Sequence, residues 1–156
     1  LNQLPYCESD LITVSGNRYF YHHEGPQKRR IIGKNGALPE VPITKWDNAD
    51  VLELFKNKNP FVVTAPLYPR SVLDRVGMLN EDLRAFEDWE FNIRCALAGY
   101  KFHHVGYAEK AQALIRLHAN SMTTNRSEML KRRREFNIAI SKNKDFQKYF
   151  GQTKSS

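Results

Sequence analysis

Glu87 and Asp88 stand side by side ahead of an apolar-periodic run, with Trp89 and Glu90 directly behind them. A carboxylate within hydrogen-bond reach of a hydroxyl can take its proton, which is worth roughly 10²–10⁴-fold to a reaction that needs a base. Adjacent carboxylates on a helix point about 100° apart, so the two cannot do the same job. A plain structural role competes with this chemistry. Acidic residues are favoured in the first helical turn, where they offset the macrodipole and cap free N–H groups. For the pair taken alone, that structural role is the stronger account. Arg116 and His118 make a second combination. Two positions apart on a strand, they face one side and could both reach a single anion. A lone His near a strand end also serves as an ordinary hydrogen-bonded residue. The pairs His22-His23 and His103-His104 are adjacent, diverge on strands and make no metal site by themselves.

The elements that must position these groups follow from periodicity and punctuation. Glu87 opens a helix in which Trp89, Ile93, Ala96 and Leu97 share a face, and Gly99 ends it. On that face Trp89 is a core anchor or, alternatively, an exposed aromatic surface. Arg94 lies one turn from Glu90, the spacing of a weak ion pair. Upstream, Ser71 is expected to cap a brief helix through Val76, with Gly77 as its stop. Asp47 reads as the N-cap of a helix carrying Val51, Leu54 and Phe55 and running to about Lys58. Asn59-Pro60 breaks it, and Phe61 to Thr64 is expected as a short buried strand.

The N-terminal stretch reads as β. Leu11 to Val14 and Arg18 to His22, separated by Ser15-Gly16-Asn17, predict a hairpin. Glu24 to Pro42 is rich in Gly and Pro and reads as a long loop, with a short strand at Arg30 to Ile32. Later strands are expected at Lys101 to Val105 and Gln112 to Leu117. Helices are expected from Ser127 to Ser141 and from Lys144 to Phe150, and Gln152 to Ser156 as a frayed tail. Strands and helices alternate too freely for an all-α or all-β domain. The 156 residues fit a single α/β domain over 1–156, with a basic helical tail at 125–156.

The stretch from Asn59 to Thr123 carries an ordered set of motifs. Asn59-Pro60 is followed by Pro69-Arg70-Ser71-Val72-Leu73-Asp74-Arg75-Val76-Gly77, then by Asn80-Glu81-Asp82-Leu83. Arg84 leads into Glu87-Asp88-Trp89-Glu90, and Arg116-Leu117-His118-Ala119-Asn120-Ser121 closes the set. Over about 65 residues this order resembles the C-terminal half of family 2 glycosyltransferases, which have the GT-A fold, a Rossmann-like α/β architecture with a mixed sheet flanked by helices. The resemblance implies an inverting sugar transfer with Asp88 as the base. It implies that Glu87 holds an acceptor hydroxyl or orients the loop. Trp89, Tyr68, Arg84 and Arg116 become candidate substrate contacts. Tyr68, in Pro66-Leu67-Tyr68 where the family's acceptor loop lies, would stack on a sugar; an ordinary buried aromatic is the competing account. His118 becomes a candidate ligand for a divalent cation, or a contact to the diphosphate.

The family's nucleotide-binding half and its Asp-x-Asp motif have no counterpart here. Asp47-Asn48-Ala49-Asp50 has the wrong spacing and reads as helix capping. The chain is therefore expected to be the acceptor-side, C-terminal portion of a longer bacterial-type enzyme of polysaccharide synthesis. The expected partners are a nucleotide-sugar donor of the UDP-sugar kind and a saccharide or lipid-linked acceptor, with Mg²⁺ or Mn²⁺ held mainly by the other half.

Composition narrows the setting. No apolar run approaches the roughly 20 residues of a membrane-spanning helix, and two cysteines, Cys7 and Cys95, have no metal-like spacing. A cytoplasmic protein, or one at the inner face of a membrane, is expected. The net charge is +7, and the stretch from Arg126 to Ser156 alone holds nine Lys or Arg against three Asp or Glu. That balance favours anionic partners. Lys131-Arg132-Arg133-Arg134 wraps most of the way round a helix, so a clean amphipathic membrane binder is not expected. A solvated helix end is the default account of the tail, and contact with an anionic membrane surface is the functional alternative. A non-catalytic basic module binding carbohydrate or nucleic acid is the alternative for the whole chain. No motif of the usual nucleic-acid folds is present, which argues against nucleic acid.

Overall fold

The computed structural model describes residues 11–14, 17–22, 29–31, 48–60, 62–104, 113–117, 122 and 125–151. Within them the chain is a mixed α/β protein. Strand β1 (Leu11–Val14) lies between β4 (Pro66–Leu67), antiparallel to it, and β5 (Lys101–His104), parallel to it. Strand β2 (Asn17–His22) lies between β3 (Arg29–Ile31), antiparallel, and β6 (Ala113–Leu117), parallel. The hairpin expected from Ser15-Gly16-Asn17 is therefore not formed. The two β-rich runs pair with strands distant in sequence, in two separate three-stranded sheets. A turn signal is local, whereas strand pairing is decided by which apolar surfaces can be buried together.

Strand β1 shows the alternation of a half-buried strand, with Ile12 and Val14 in the core and Leu11 and Thr13 only part-buried. Helix α1 (Asn48–Asn57) sets Val51, Leu52 and Phe55 into the same core, and Phe55 meets Phe102 of β5 edge to face at 5.8 Å. The expected N-cap Asp47 lies outside the described residues. The helix stops where expected, its last bond running from the Lys58 N–H to the Leu54 carbonyl. Phe61 also lies outside them. Val62 to Ala65 form a turn closed by an Ala65 N–H to Val62 carbonyl bond, and Val63 is 59% exposed. The buried strand expected at 61–64 is thus displaced to Pro66–Leu67 on the sheet edge.

Helix α2 (Arg70–Val76) begins two residues earlier than expected. Pro69 is its N-cap, without a side-chain cap bond, so Ser71 is the second helical residue and not the cap. Pro suits that boundary because its fixed φ leads into a helix and it has no N–H to leave unpaired. Gly77 ends the helix at φ 84°, a conformation that costs a residue with a Cβ. Helix α3 (Glu87–Leu97) then runs with Trp89, Ile93, Cys95 and Ala96 buried, and Gly99 (φ 92°) turns the chain toward β5. The Cys95 thiol is fully enclosed, and burial pushes it up to about 12. Tyr100, also buried, donates its hydroxyl to the Ser71 carbonyl at 3.0 Å and so ties α2 beneath β5.

Helices α4 (Arg126–Lys142) and α5 (Lys144–Gly151) complete the described chain. Asn125 caps α4 by accepting from the Glu128 N–H at 3.1 Å, and Asn143 accepts from the Phe146 N–H at 3.0 Å at the start of α5. Phe136 and Ile140 are the residues that α4 buries. No helix among the described residues is long and apolar enough to cross a membrane. The expected frayed tail at 152–156 lies outside the described residues.

Candidate functional site

The site begins at an unusual backbone position. Phe86, the N-cap of α3, has φ 65°, in the left-handed region that a bulky side chain rarely adopts. Strain of this kind, on the order of 1–3 kcal/mol, persists only where surrounding packing over-determines it. That packing is aromatic. The Phe86 ring lies 5.9 Å from Trp89 and 5.7 Å from Phe136, and Trp89 and Phe136 stack at 4.7 Å. The consequence is a helix start with Glu87, Asp88 and Glu90 all in its first turn and no side-chain cap at the N-cap itself.

Asp88 uses both carboxylate oxygens. Oδ1 accepts from the Trp89 N–H at 2.8 Å, satisfying one of the free donors of the first turn. Oδ2 accepts from Asn59 Nδ2 at 2.9 Å. The side chain is part-buried, and desolvation raises its carboxyl above the ordinary aspartate value; the neighbouring Glu87 charge adds to this, while the Trp89 and Asn59 donors oppose it. One oxygen thus serves the helix start while the other faces Asn59. Each oxygen keeps lone-pair capacity for a further donor. Beside it, Glu87 Oε2 is buried without a hydrogen-bond partner among the described residues.

Tyr68 stands close by, part-buried, with its ring edge-on to Phe91 at 5.1 Å. Its hydroxyl donates to Asn92 Oδ1 at 2.7 Å, and Asn92 Nδ2 reaches Asn59 Oδ1 at 3.4 Å. Burial drives the phenol well above its ordinary range. Three segments, the end of α1, the connection from β4 to α2, and α3, therefore converge on one polar cluster. Tyr68 and Asp88 were both expected from the sequence as site residues, and the fold brings them together. Asn92 was not singled out, although its spacing four residues after Asp88 puts it on the same helix face.

Trp89 is 2% exposed, and its indole N–H donates to the Phe55 carbonyl at 3.0 Å. Phe136 and the Arg133 guanidinium, 3.9 Å from its ring centroid, cover it. It is the core anchor of the two accounts, and its ring offers no free face to a sugar. Arg84 is exposed and contributes to the charge environment of Glu135 on α4. It does not join the Asp88 cluster in any described bond. Arg116 lies on β6 in register with Phe20, and His118 lies outside the described residues.

Glu90, 6% exposed, pairs with Arg94 at the expected i,i+4 spacing, but Arg94 is part-buried and the pair is a multidentate clamp. The guanidinium binds both Glu90 oxygens at 2.7 and 2.9 Å and also donates to the carbonyls of Val76 and Met78. It fixes the loop after α2 against α3. The four consecutive cations of α4 also divide. Arg132 is held by Glu128 and Glu135, Arg133 lies over Trp89, and only Lys131 and Arg134 are exposed.

Among the described residues no group of three or more His, Cys, Asp or Glu is placed to hold a metal ion. No protein-family model matches the chain, nor does any curated protein or solved structure.

Proposed function

We propose that this chain forms the acceptor side of an inverting, nucleotide-sugar-dependent glycosyltransferase of the GT-A kind, with Asp88 as the general base. The observation that carries the proposal is the state of the Asp88 carboxylate. It is part-buried at the start of α3, titrates above the ordinary range and is gripped from both oxygens by neutral donors. A base with a raised pKa holds an abstracted proton better at neutral pH, and fixed donors orient it without neutralising it. The motif order from Asn59 to His118 supplies the reaction class.

In the step assigned to Asp88, the acceptor hydroxyl gives its proton to the carboxylate as its oxygen bonds to the anomeric carbon. The bond from that carbon to the nucleoside diphosphate breaks with inversion, and the leaving group departs with the electron pair. Glu87, adjacent and with one oxygen unpartnered, is the group assigned to a second acceptor hydroxyl. Trp89 plays no direct part, because it supports the helix from within. Donor binding is assigned to a part of the protein beyond these 156 residues. Among the described residues no group of three or more His, Cys, Asp or Glu could hold Mg²⁺ or Mn²⁺, and the cation the reaction class calls for is assigned to the donor-binding part as well.

The outer face of α4 is assigned to contact with an anionic membrane surface. Arg126, Lys131, Arg134 and Lys142 are exposed there beside Leu130 (57% exposed) and Ile138 (55% exposed), while both acids of the helix, Glu128 and Glu135, are paired with Arg132. Cations beside apolar side chains suit a lipid interface better than a solvated helix end.

The test of the catalytic assignment is Asp88→Asn in the full-length parent protein, assayed for sugar transfer from a panel of UDP-sugars. Turnover is expected to fall by roughly 10²–10⁴-fold. Transfer at the wild-type rate would remove Asp88 from the mechanism.

A further inference from the structure

Tyr68, Asn92, Asn59 and Asp88 are joined by bonds that all run in one sense. The phenol donates to Asn92, the Asn92 amide to Asn59, and the Asn59 amide to Asp88 Oδ2. A side-chain amide has one donor end and one acceptor end, so the sense of one bond sets the sense of the next. A carboxylate can only accept, which fixes the far end of the chain. Resting on the reading of Asp88 as the base, we propose that this one-way chain works with the Trp89 N–H on Oδ1 to keep Asp88 an anion. Asn59 and Asn92 are then positioning residues, and the Tyr68 hydroxyl is the anchor that orients their amides.

Three observations bear on it. Asp88 sits where burial and the Glu87 charge both favour the protonated form, so a donor aimed at Oδ2 works against its surroundings. Tyr68 is itself desolvated beyond any useful acidity, which makes it a permanent donor across the working pH range. The links are also unequal. Those at 2.7 and 2.9 Å are ordinary hydrogen bonds, whereas the 3.4 Å link between the two amides is long and transmits less. Asn59 should therefore act on Asp88 more strongly than Tyr68 does.

The other groups around the carboxylate are few among the described residues. Glu87 is the charged neighbour on its own helix, and Tyr68 is the titratable group facing it from the β4–α2 connection. The end of α1 presents the neutral Asn59. The cation that α4 brings to this helix, Arg133, lies over the ring of Trp89.

The experiment is an NMR titration of the Asp88 carboxyl carbon in this chain, for wild type, Asn59→Ala and Tyr68→Phe. Loss of the Asn59 donor is expected to move the Asp88 midpoint up by about one pH unit, a tenfold change in ionisation. Tyr68→Phe should move it the same way by a few tenths, because it loosens the amides without removing the donor on Oδ2. A midpoint that stays put in both variants, with native amide spectra, overturns the proposal. Should Asn59→Ala fail to fold, Tyr68→Phe decides alone, since it deletes one oxygen, and an unmoved midpoint there is fatal. The readout needs no transferase activity. A failed relay is thereby distinguishable from a failed assignment of Asp88 as base, which the Asp88→Asn assay in the parent addresses separately.

Discussion

The indole N–H of Trp89 donates to the main-chain carbonyl of Phe55 across 34 residues of sequence, at 3.0 Å. One residue before Trp89 is Asp88, and four residues after Phe55 is Asn59. The bond therefore sets the distance at which Asn59 meets the Asp88 carboxylate, although neither of its partners belongs to the polar cluster. A core contact fixes the geometry of a surface site.

Trp89→Phe should expose this coupling. Removing a buried hydrogen bond is expected to cost about 1–3 kcal/mol, with further loss from the smaller ring against Phe136. Urea denaturation would read it as a lowered midpoint at unchanged slope. A midpoint equal to wild type would mean that the bond contributes nothing.

The raised titration of Asp88 has a defined sign for stability. A group whose folded pKa lies above its unfolded value contributes stability that is complete below the unfolded value and is lost as pH rises through the folded one. Wild type should thus gain Tm relative to Asp88→Asn as pH falls from neutral toward 4. Parallel Tm–pH curves for the two proteins would contradict the burial of this carboxylate.

Arg94 offers a sharper stability test. Arg94→Met leaves Glu90 buried and uncompensated, at an expected cost of about 3–5 kcal/mol. Pairing it with Glu90→Gln should restore a large part of that, since the stranded charge is gone. Arg94→Lys should fall between, because an ammonium cannot reproduce the fork that holds two carboxylate oxygens and two carbonyls. Additive single and double variants in chemical denaturation would refute the clamp.

On α4 the cations should separate by role. Lys131→Glu with Arg134→Glu is expected to cut binding to phosphatidylglycerol-containing vesicles by tenfold or more, at roughly 1 kcal/mol per cation, with no change in Tm. Arg132→Ala should behave oppositely, because its guanidinium is already engaged by Glu128 and Glu135. Cosedimentation at two salt concentrations, beside a melting curve, checks both. Equal losses for the two variants would dissolve the distinction.

Helix α3 was legible in sequence almost to the residue, because an acidic start, a 3.6-residue apolar repeat and a glycine stop all agree. Helices α4 and α5 were placed to within a residue at each end, although the caps that start them, Asn125 and Asn143, were not read as such. The strands were legible as segments and illegible as partners. Ser15-Gly16-Asn17 looks like a hairpin turn, yet β1 finds β5 some 90 residues on, at Leu11↔Lys101. Pairing at that distance leaves no trace in a local window. The apolar run at 61–64 misled for a related reason: Val62 and Ala65 close a turn that exposes Val63 and Thr64.

The site divides in the same way. Asp88 and Tyr68 were visible because their residue types announce chemistry. Asn59 was visible only as the breaker before Pro60, and Asn92 not at all, because an amide draws attention only once its partners are known. Trp89 was ambiguous between two faces, and Phe136 and Arg133 on α4, far along the chain, resolved it.

Cys95 turns the interior of α3 into a built-in chemical clock. Its thiol is fully enclosed and held up to about 12, so it cannot react with an alkylating reagent from the folded state at neutral pH. With Cys7 replaced by Ser, the modification rate would count each excursion in which the helix carrying Asp88 lifts from its bed. Ligands that settle beside Asp88 should slow that count, which would let a ligand be found by the protection it gives before any reaction is known.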